Sequence, residues 1–276
     1  MSRRSTPSLV MIHLLLVAGV AVSVAPLLWV AVGSVKQVSE IFSYPPRLVP
    51  APATLDNYRL LFGDQPFWRW FVNSLATSVA ATVVAVFLSA LAGYGFAKYR
   101  FRGRRFLFDV LFSSLMVPFA VILVPLFVEM TRLGWADSYA ALVVPWVAPA
   151  FGIFLMRQFI IQTVPDEMID AARVDGAGEF QTFWRIVVPV IRPALGALAV
   201  WNFLNAYNSY LWPLTVISSD SKYTLPLGLA ALNGNYSREY GTVLAAAFLA
   251  ALPTIGLLLT LRRQLISGLT VGSVKG

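Results

Sequence analysis

Residues 70–105 read WFVNSLATSVAATVVAVFLSALAGYGFAKYRFRGRR. From Trp70 to Ala97 there is no Asp, Glu, Lys or Arg, and Lys98 to Arg105 then holds five basic residues in eight. A helix rises about 1.5 Å per residue and the hydrocarbon core of a bilayer is about 30 Å thick, so about 20 apolar residues suffice to cross it. The run is long enough to span, and the basic cluster behind it marks the cytoplasmic side, where Lys and Arg are retained. One stretch thus predicts both a membrane helix and its direction.

Working outward, the same test finds five more spans, approximately Leu9–Val32, Phe106–Val128, Ser138–Met156, Pro193–Ile217 and Tyr240–Leu261. Arg3 and Arg4 ahead of the first resemble the start of a signal peptide. The run is too long for the apolar part of one, and no small-residue cleavage site follows, so it reads as a retained span. Six spans put both termini on one side. With that side cytoplasmic, 14 of the 21 basic residues lie inside, among them Arg157, Arg173, Arg185, Arg192, Arg262 and Arg263. The expected fold is an all-α integral membrane protein, a single transmembrane domain over residues 1–276 with six transmembrane helices.

Composition agrees and narrows the function. The chain is 58% apolar and 12% charged, against about 25% charged for soluble domains. There is no cysteine, which excludes disulfides, thiolate metal sites and thiol nucleophiles. The net charge of +8 sits beside apolar runs rather than along one stripe, which suits membrane lipid and not nucleic acid. No protease-type, intramembrane-aspartate or nucleophilic-serine motif occurs, so no catalytic, cofactor or metal residue is expected. The lone His13 in the first span reads as a tolerated polar residue. No charge lies at the centre of a span, which argues against ion-coupled transport. A secondary transporter or channel subunit for a neutral polar solute stays the alternative.

Three loops are long: Ser34–Arg69 and Ser218–Glu239 outside, Arg157–Arg192 inside. None can house a soluble domain, so partners are expected. In the internal loop, Thr163 followed by Pro165, Asp166 and Glu167 has the form of a cap and an acidic first turn. The short helix that begins there should carry Met168, Ala171 and Ala172 on one face and stop at Gly176. Phe180, Phe183, Trp184, Val187 and Val188 then repeat at helical spacing until Pro189 interrupts them. On physical grounds alone this is equally an interfacial connector or a docking knob.

The string EMIDAARVDGA from Glu167 to Ala177, followed by Ile186, Pro189 and Pro193, resembles the EAA signature of membrane subunits of ATP-binding-cassette importers. Asp170 stands where Glu is common, and Val188 where Leu is common. In that family the loop is a coupling helix seated in a cleft of the ATPase, which implies this role for Asp166, Glu167, Asp170, Ala171, Ala172, Asp175 and Gly176. Similarity to the carbohydrate-uptake branch, and in kind to the six-span subunit of maltose-type transporters, extends over Tyr44–Leu61 with LDNYRLLF, Asn73 and Ser74, Gly93–Arg105, Gly152–Gln158, Leu211–Leu214 and the tail GLTVGSVKG from Gly268 to Gly276. The resemblance implies a prokaryotic inner or cell membrane, a second non-identical permease subunit, an ATPase dimer and an extracytoplasmic solute-binding protein. Since no GxxxxGK[ST] sequence occurs here, ATP and Mg would be bound by the ATPase partner.

Span five carries Trp201, Asn202, Asn205, Asn208, Ser209 and Trp212 within about a third of a helical wheel. Amides and indoles on one side suit a sugar, so Asn202, Asn205, Ser209 and Trp212 are the candidate solute path; helix packing explains the stripe as well. Tyr207–Leu214 resembles the family stretch WNEFLWPL, with Tyr207 for Trp and Ser209 for Glu. Asn233, Gly234, Asn235 and Tyr236 read as a turn-like tip, which the resemblance implies meets the binding protein.

Overall fold

The computed structural model describes residues 6–235 and 240–270, with side chains over 9–232 and 240–264. Among them there are helices and turns and no strand. Four helical stretches are long and apolar enough to cross a membrane singly: Leu9–Gly33 within α1 (Thr6–Gly33), α4 (Phe67–Lys98), Tyr139–Thr163, and Tyr240–Gln264 within α15 (Tyr240–Thr270). Tyr139–Thr163 is composite, built of α7 (Tyr139–Val143), a 3-10 turn at Val144–Trp146 and α8 (Ala150–Thr163).

Two further candidates are bent pairs. α5 (Arg104–Ser113) continues through a 3-10 turn to Met116 and meets α6 (Phe119–Arg132) at 108°. α10 (Glu179–Thr182), a π-helical segment Phe183–Val187 and α11 (Val188–Val190) together meet α12 (Arg192–Tyr207) at 80°. The count is six if each pair is one span.

The bends correct three expectations. The span expected over Phe106–Val128 is a bent pair and not one helix: Pro118 forces Val117 into extended backbone (φ −86, ψ 115), which ends the helix before it. Nor does one helix run from Pro193 to Ile217. α12 stops at Tyr207, and α13 (Leu211–Val216) is separate, because Pro213 cannot bond back to Ser209 and Asn208 and Ser209 compete for backbone groups. Pro189, by contrast, does not end its helix. The residues ahead of it widen into the π turn, so its missing N–H falls where regular bonding has already lapsed.

Within the membrane domain set by the sequence, the structure distinguishes two compact units, Met1–Trp68 with Gly228–Leu252, and Arg69–Leu227 with Pro253–Gly276. In the first, α1 is followed by α2 (Val38–Ile41) and α3 (Asp56–Asp64). Asn57 and Tyr58 of the LDNYRLLF stretch pin the chain after α1: Asn57 Nδ2 donates to the Ser34 and Lys36 carbonyls at 2.9 and 2.8 Å, and the Tyr58 and Ser34 hydroxyls are 2.8 Å apart. His13 bonds the Leu9 carbonyl of its own helix at 2.7 Å. Among the described residues no part of the apolar window of α1 is buried, so its side chains require lipid or another subunit.

In the second unit, one buried cluster joins α4 (Ala90, Tyr94), α8 (Met156, Ile160), α9 (Asp166–Val174, through Ile169), the π segment (Phe183, Val187) and α12 (Leu198). Between membrane helices such a cluster holds by close van der Waals packing rather than by removal of apolar surface from water. The connector after α8 is thereby packed onto the membrane helices rather than hung from them.

Candidate functional site

The connector differs in detail from its sequence reading. α9 begins after Pro165, which is extended at φ −61, ψ 150. Thr163 is no cap; it is the last residue of α8, and its hydroxyl bonds back to the Phe159 carbonyl at 2.8 Å. Asp166 and Glu167 do occupy the first turn, where the helix dipole favours carboxylates. The far end closes as a Schellman motif. Ala177 N–H donates to Ala172 O at 2.9 Å and Gly176 N–H to Arg173 O at 3.0 Å, with Gly176 at φ +78.

The buried face of α9 is Ile169 and Ala172, not Met168, Ala171 and Ala172. Asp166, Glu167, Asp170, Ala171, Asp175 and Gly176 are all exposed. A short helix therefore presents acidic and small residues outward from an anchored base. In the following arm Phe183 and Val187 are buried, while Phe180 and Trp184 remain exposed, because the π turn moves the apolar positions to a spacing of four. Trp184 stacks on Phe87 of α4 at 6.1 Å.

Span five does not present one continuous stripe. Asn202 is fully buried on α12, and neither amide atom has a hydrogen-bond partner among the described residues. Asn205 is exposed and its Nδ2 donates to the Trp201 carbonyl at 2.7 Å, which leaves its oxygen available. Ser209 lies in the break between α12 and α13. Trp212 belongs to a core with Met130, Leu142 and Val216, and its indole N–H donates to the Ala141 carbonyl at 2.8 Å. Phe203 is also buried. It lines a groove of about 600 Å³ with Leu75, Val79, Val83 and Leu257, whose apolar walls do not suit a hydroxyl-rich solute.

Residues 85–263 match the profile of the binding-protein-dependent transport system inner membrane component. The chain belongs to this family. Among its relatives, the arabinooligosaccharides transport system permease protein AraQ of Halalkalibacterium halodurans is 35% identical over 280 residues, covering 100% of both chains. The lactose transport system permease protein LacG of Rhizobium radiobacter is 37% identical over 99% of this chain and 98% of its own. The sn-glycerol-3-phosphate permease UgpE of Escherichia coli is 32% identical over 93% and 94%. Among solved structures, a bacterial ABC transporter involved in the import of the acidic polysaccharide alginate contains a chain that superposes with a TM-score of 0.82 at 22% identity, over 95% of this chain and 99% of that one.

In this inner membrane component the segment after α13 is tied down by Asp137, which the sequence reading did not single out, and by Asn73, which it named only for the family resemblance. Asp137, at φ 54, accepts hydrogen bonds from the Ser218 and Ser219 N–H groups at 3.1 and 3.0 Å, from the Ser219 hydroxyl, and from Lys222 Nζ at 2.8 Å. Asn73 Nδ2 donates to the Ser221 and Tyr223 carbonyls at 3.0 and 2.9 Å and its oxygen accepts from Tyr139 at 3.0 Å. Partners so far apart in sequence leave no local signal. Lys222, then the serine bonds, hold the Asp137 carboxyl well below the usual carboxylate range. A depressed carboxylate stabilises the fold above its unfolded value of about pH 4 and loses that contribution as pH falls through the folded one. Asp137→Asn should accordingly lower the thermal midpoint at neutral pH, and the gap to the unaltered protein should close in acid. A midpoint difference that persists unchanged below pH 3 would assign the effect to the backbone rather than the charge.

The expected external tip is not a turn. Asn233, Gly234 and Asn235 form the end of α14 (Leu225–Asn235), and Tyr236 lies outside the described residues, as do positions 271–276 of the tail. The helix starts at Leu225, whose N–H is capped by the Ser74 hydroxyl at 2.7 Å.

Proposed function

We propose that the chain is one permease subunit of an ATP-driven importer for a sugar, oligosaccharide or related polyol, delivered by an extracytoplasmic binding protein. The observation that carries this reading is the similarity, over nearly the full chain, to permeases named for arabinooligosaccharides and lactose. A second permease subunit would complete the path, and an ATPase dimer, binding ATP and Mg, would receive the exposed face of α9. Both termini and α9 lie in the cytoplasm, as the basic cluster behind α4 requires. Because the chain has no cysteine, single cysteines at Val174 and Ser221 report sidedness directly. Membrane-impermeant reagent in intact cells should label Ser221→Cys and not Val174→Cys. The functional test is ATP-dependent uptake of a panel of labelled sugars by vesicles holding the assembled complex; stimulation by no sugar or polyol would overturn the assignment.

Within that reading Asn205 and Ser209 are the path residues, Asn202 stands behind them, and Trp212 supports the wall. Asn205→Ala should alter the ratio of uptake rates among sugars and leave the amount of assembled complex unchanged. Trp212→Ala should do the reverse, since emptying a buried aromatic site costs about 3–5 kcal/mol. Equal loss of assembly in both, with no change in sugar ratios, would assign span five wholly to packing. The end of α14, with Asn233, Gly234, Asn235 and the adjoining Tyr236, remains the proposed contact for the binding protein.

A further inference from the structure

The connector helix is fastened to the end of α4 at both of its own ends. At the first turn of α9, Lys98 Nζ reaches the Asp166 carboxylate and the Val164 carbonyl together. The Lys98 side chain is only 8% exposed while that of Asp166 is 78% exposed, so the last residue of α4 passes beneath the connector to a carboxylate on its outer rim. Beyond the last turn, Glu179 collects three groups. Arg173 Nε donates to Oε1 at 2.9 Å, and the hydroxyls of Tyr99 and Tyr94 both donate to Oε2, the latter at 3.5 Å. Arg173 also reaches back to Asp170 at 3.2 Å, which carries the network onto the exposed face of α9. Tyr94 is buried, edge-on to Tyr99 at 5.4 Å and tilted on Phe183 at 5.5 Å.

We propose that Lys98 and Glu179 are positioning residues that make α9 and the end of α4 a single moving body, so that a displacement of the connector is delivered to α4 without slack. The inference rests on the reading of α9 as the ATPase-docking helix. Three features favour a rigid joint over a hinge. The two fastenings sit at opposite ends of α9, which blocks pivoting about either one. Both are charge-assisted, and so stronger than neutral hydrogen bonds. Between them Ile169, Phe183 and Val187 pack with Ala90 and Tyr94 of α4, and close-packed side chains transmit displacement rather than absorb it. Both carboxylate oxygens of Glu179 accept from α9 or from the end of α4 and the residue after it, although its side chain is 47% exposed. A carboxylate serving only solubility would not gather an arginine and two tyrosines.

The test uses the full importer complex in lipid, with spin labels at Arg100→Cys beside α4 and Val174→Cys on α9. The distance between the labels should be narrowly distributed and the same with and without ATP. Glu179→Ala should broaden it and lower solute taken up per ATP hydrolysed about tenfold, the size of an ordinary coupling energy. Glu179→Gln, which can still accept from the tyrosines, should restore part of that loss, and Tyr99→Phe, which removes one hydroxyl, should cause part of it. A label distance that shifts between nucleotide states in the unaltered protein, or an unchanged uptake per ATP in Glu179→Ala, overturns the rigid joint. Failure of the ATPase to co-purify with the unaltered chain would instead remove the docking reading, and the label distance would still report whether the joint is rigid.

Discussion

Gly93→Val is expected to leave almost no assembled protein in the membrane. A Cβ on Gly93 would lie 2.6 Å from Met156 Cβ and 2.8 Å from the backbone nitrogen of Arg157, so α4 and α8 meet here backbone to backbone. No rotamer change relieves a contact with main chain. The helices must separate, and the shared cluster around Met156, Ile160 and Leu198 opens with them. Overpacking of a tight core costs about 1–3 kcal/mol where side chains can yield, and here they cannot. Small residues at membrane helix interfaces serve this close approach. The measurement is the yield of complex after mild solubilisation, with Gly95→Val as the control, since a Cβ at Gly95 meets nothing within 4 Å. Equal yields for the two variants would contradict the α4–α8 contact.

Gly176→Val is expected to leave assembly intact and to uncouple ATP hydrolysis from uptake. The site is open, with nothing within 4 Å of an added Cβ, so the effect cannot come from a clash. It comes from φ +78, a left-handed conformation that costs a β-branched residue about 1–2 kcal/mol or more. Relief of that strain breaks the Schellman bonds from Ala177 and Gly176 and turns the exposed face of α9 with its carboxylates. Gly176→Asn, which tolerates the left-handed region, should retain most of the coupling. The readout is uptake against ATPase rate in reconstituted vesicles. Unchanged coupling in Gly176→Val would remove the docking role from this turn.

The orientation of Asp137 and the fastening of Glu179 show where sequence reading stops. Asp137 is one half-buried aspartate in a turn, and Glu179 one acidic residue after a glycine. Neither belongs to a local pattern, because the partners of Asp137 lie 81–85 residues away and the tyrosines of Glu179 lie 80 and 85 residues away. Hydrogen bonds between distant segments form only after the helices have packed.

What the sequence determined by itself was set by length, periodicity and local conformational preference. An uncharged run of 28 residues from Trp70 to Ala97 must lie in lipid or a buried core, the acidic first turn of α9 follows from the helix dipole, and Gly176 follows from the stereochemistry of a helix stop. The tertiary structure alone decided the burial of Trp212 in a core with Met130 and Leu142, the fastening of Asp137 to the segment after α13, and the face that α9 turns outward. These depend on which neighbour each residue meets. A helical wheel assumes a continuous helix, and at Pro118 and Pro213 the backbone lacks the hydrogen bond that continuity requires.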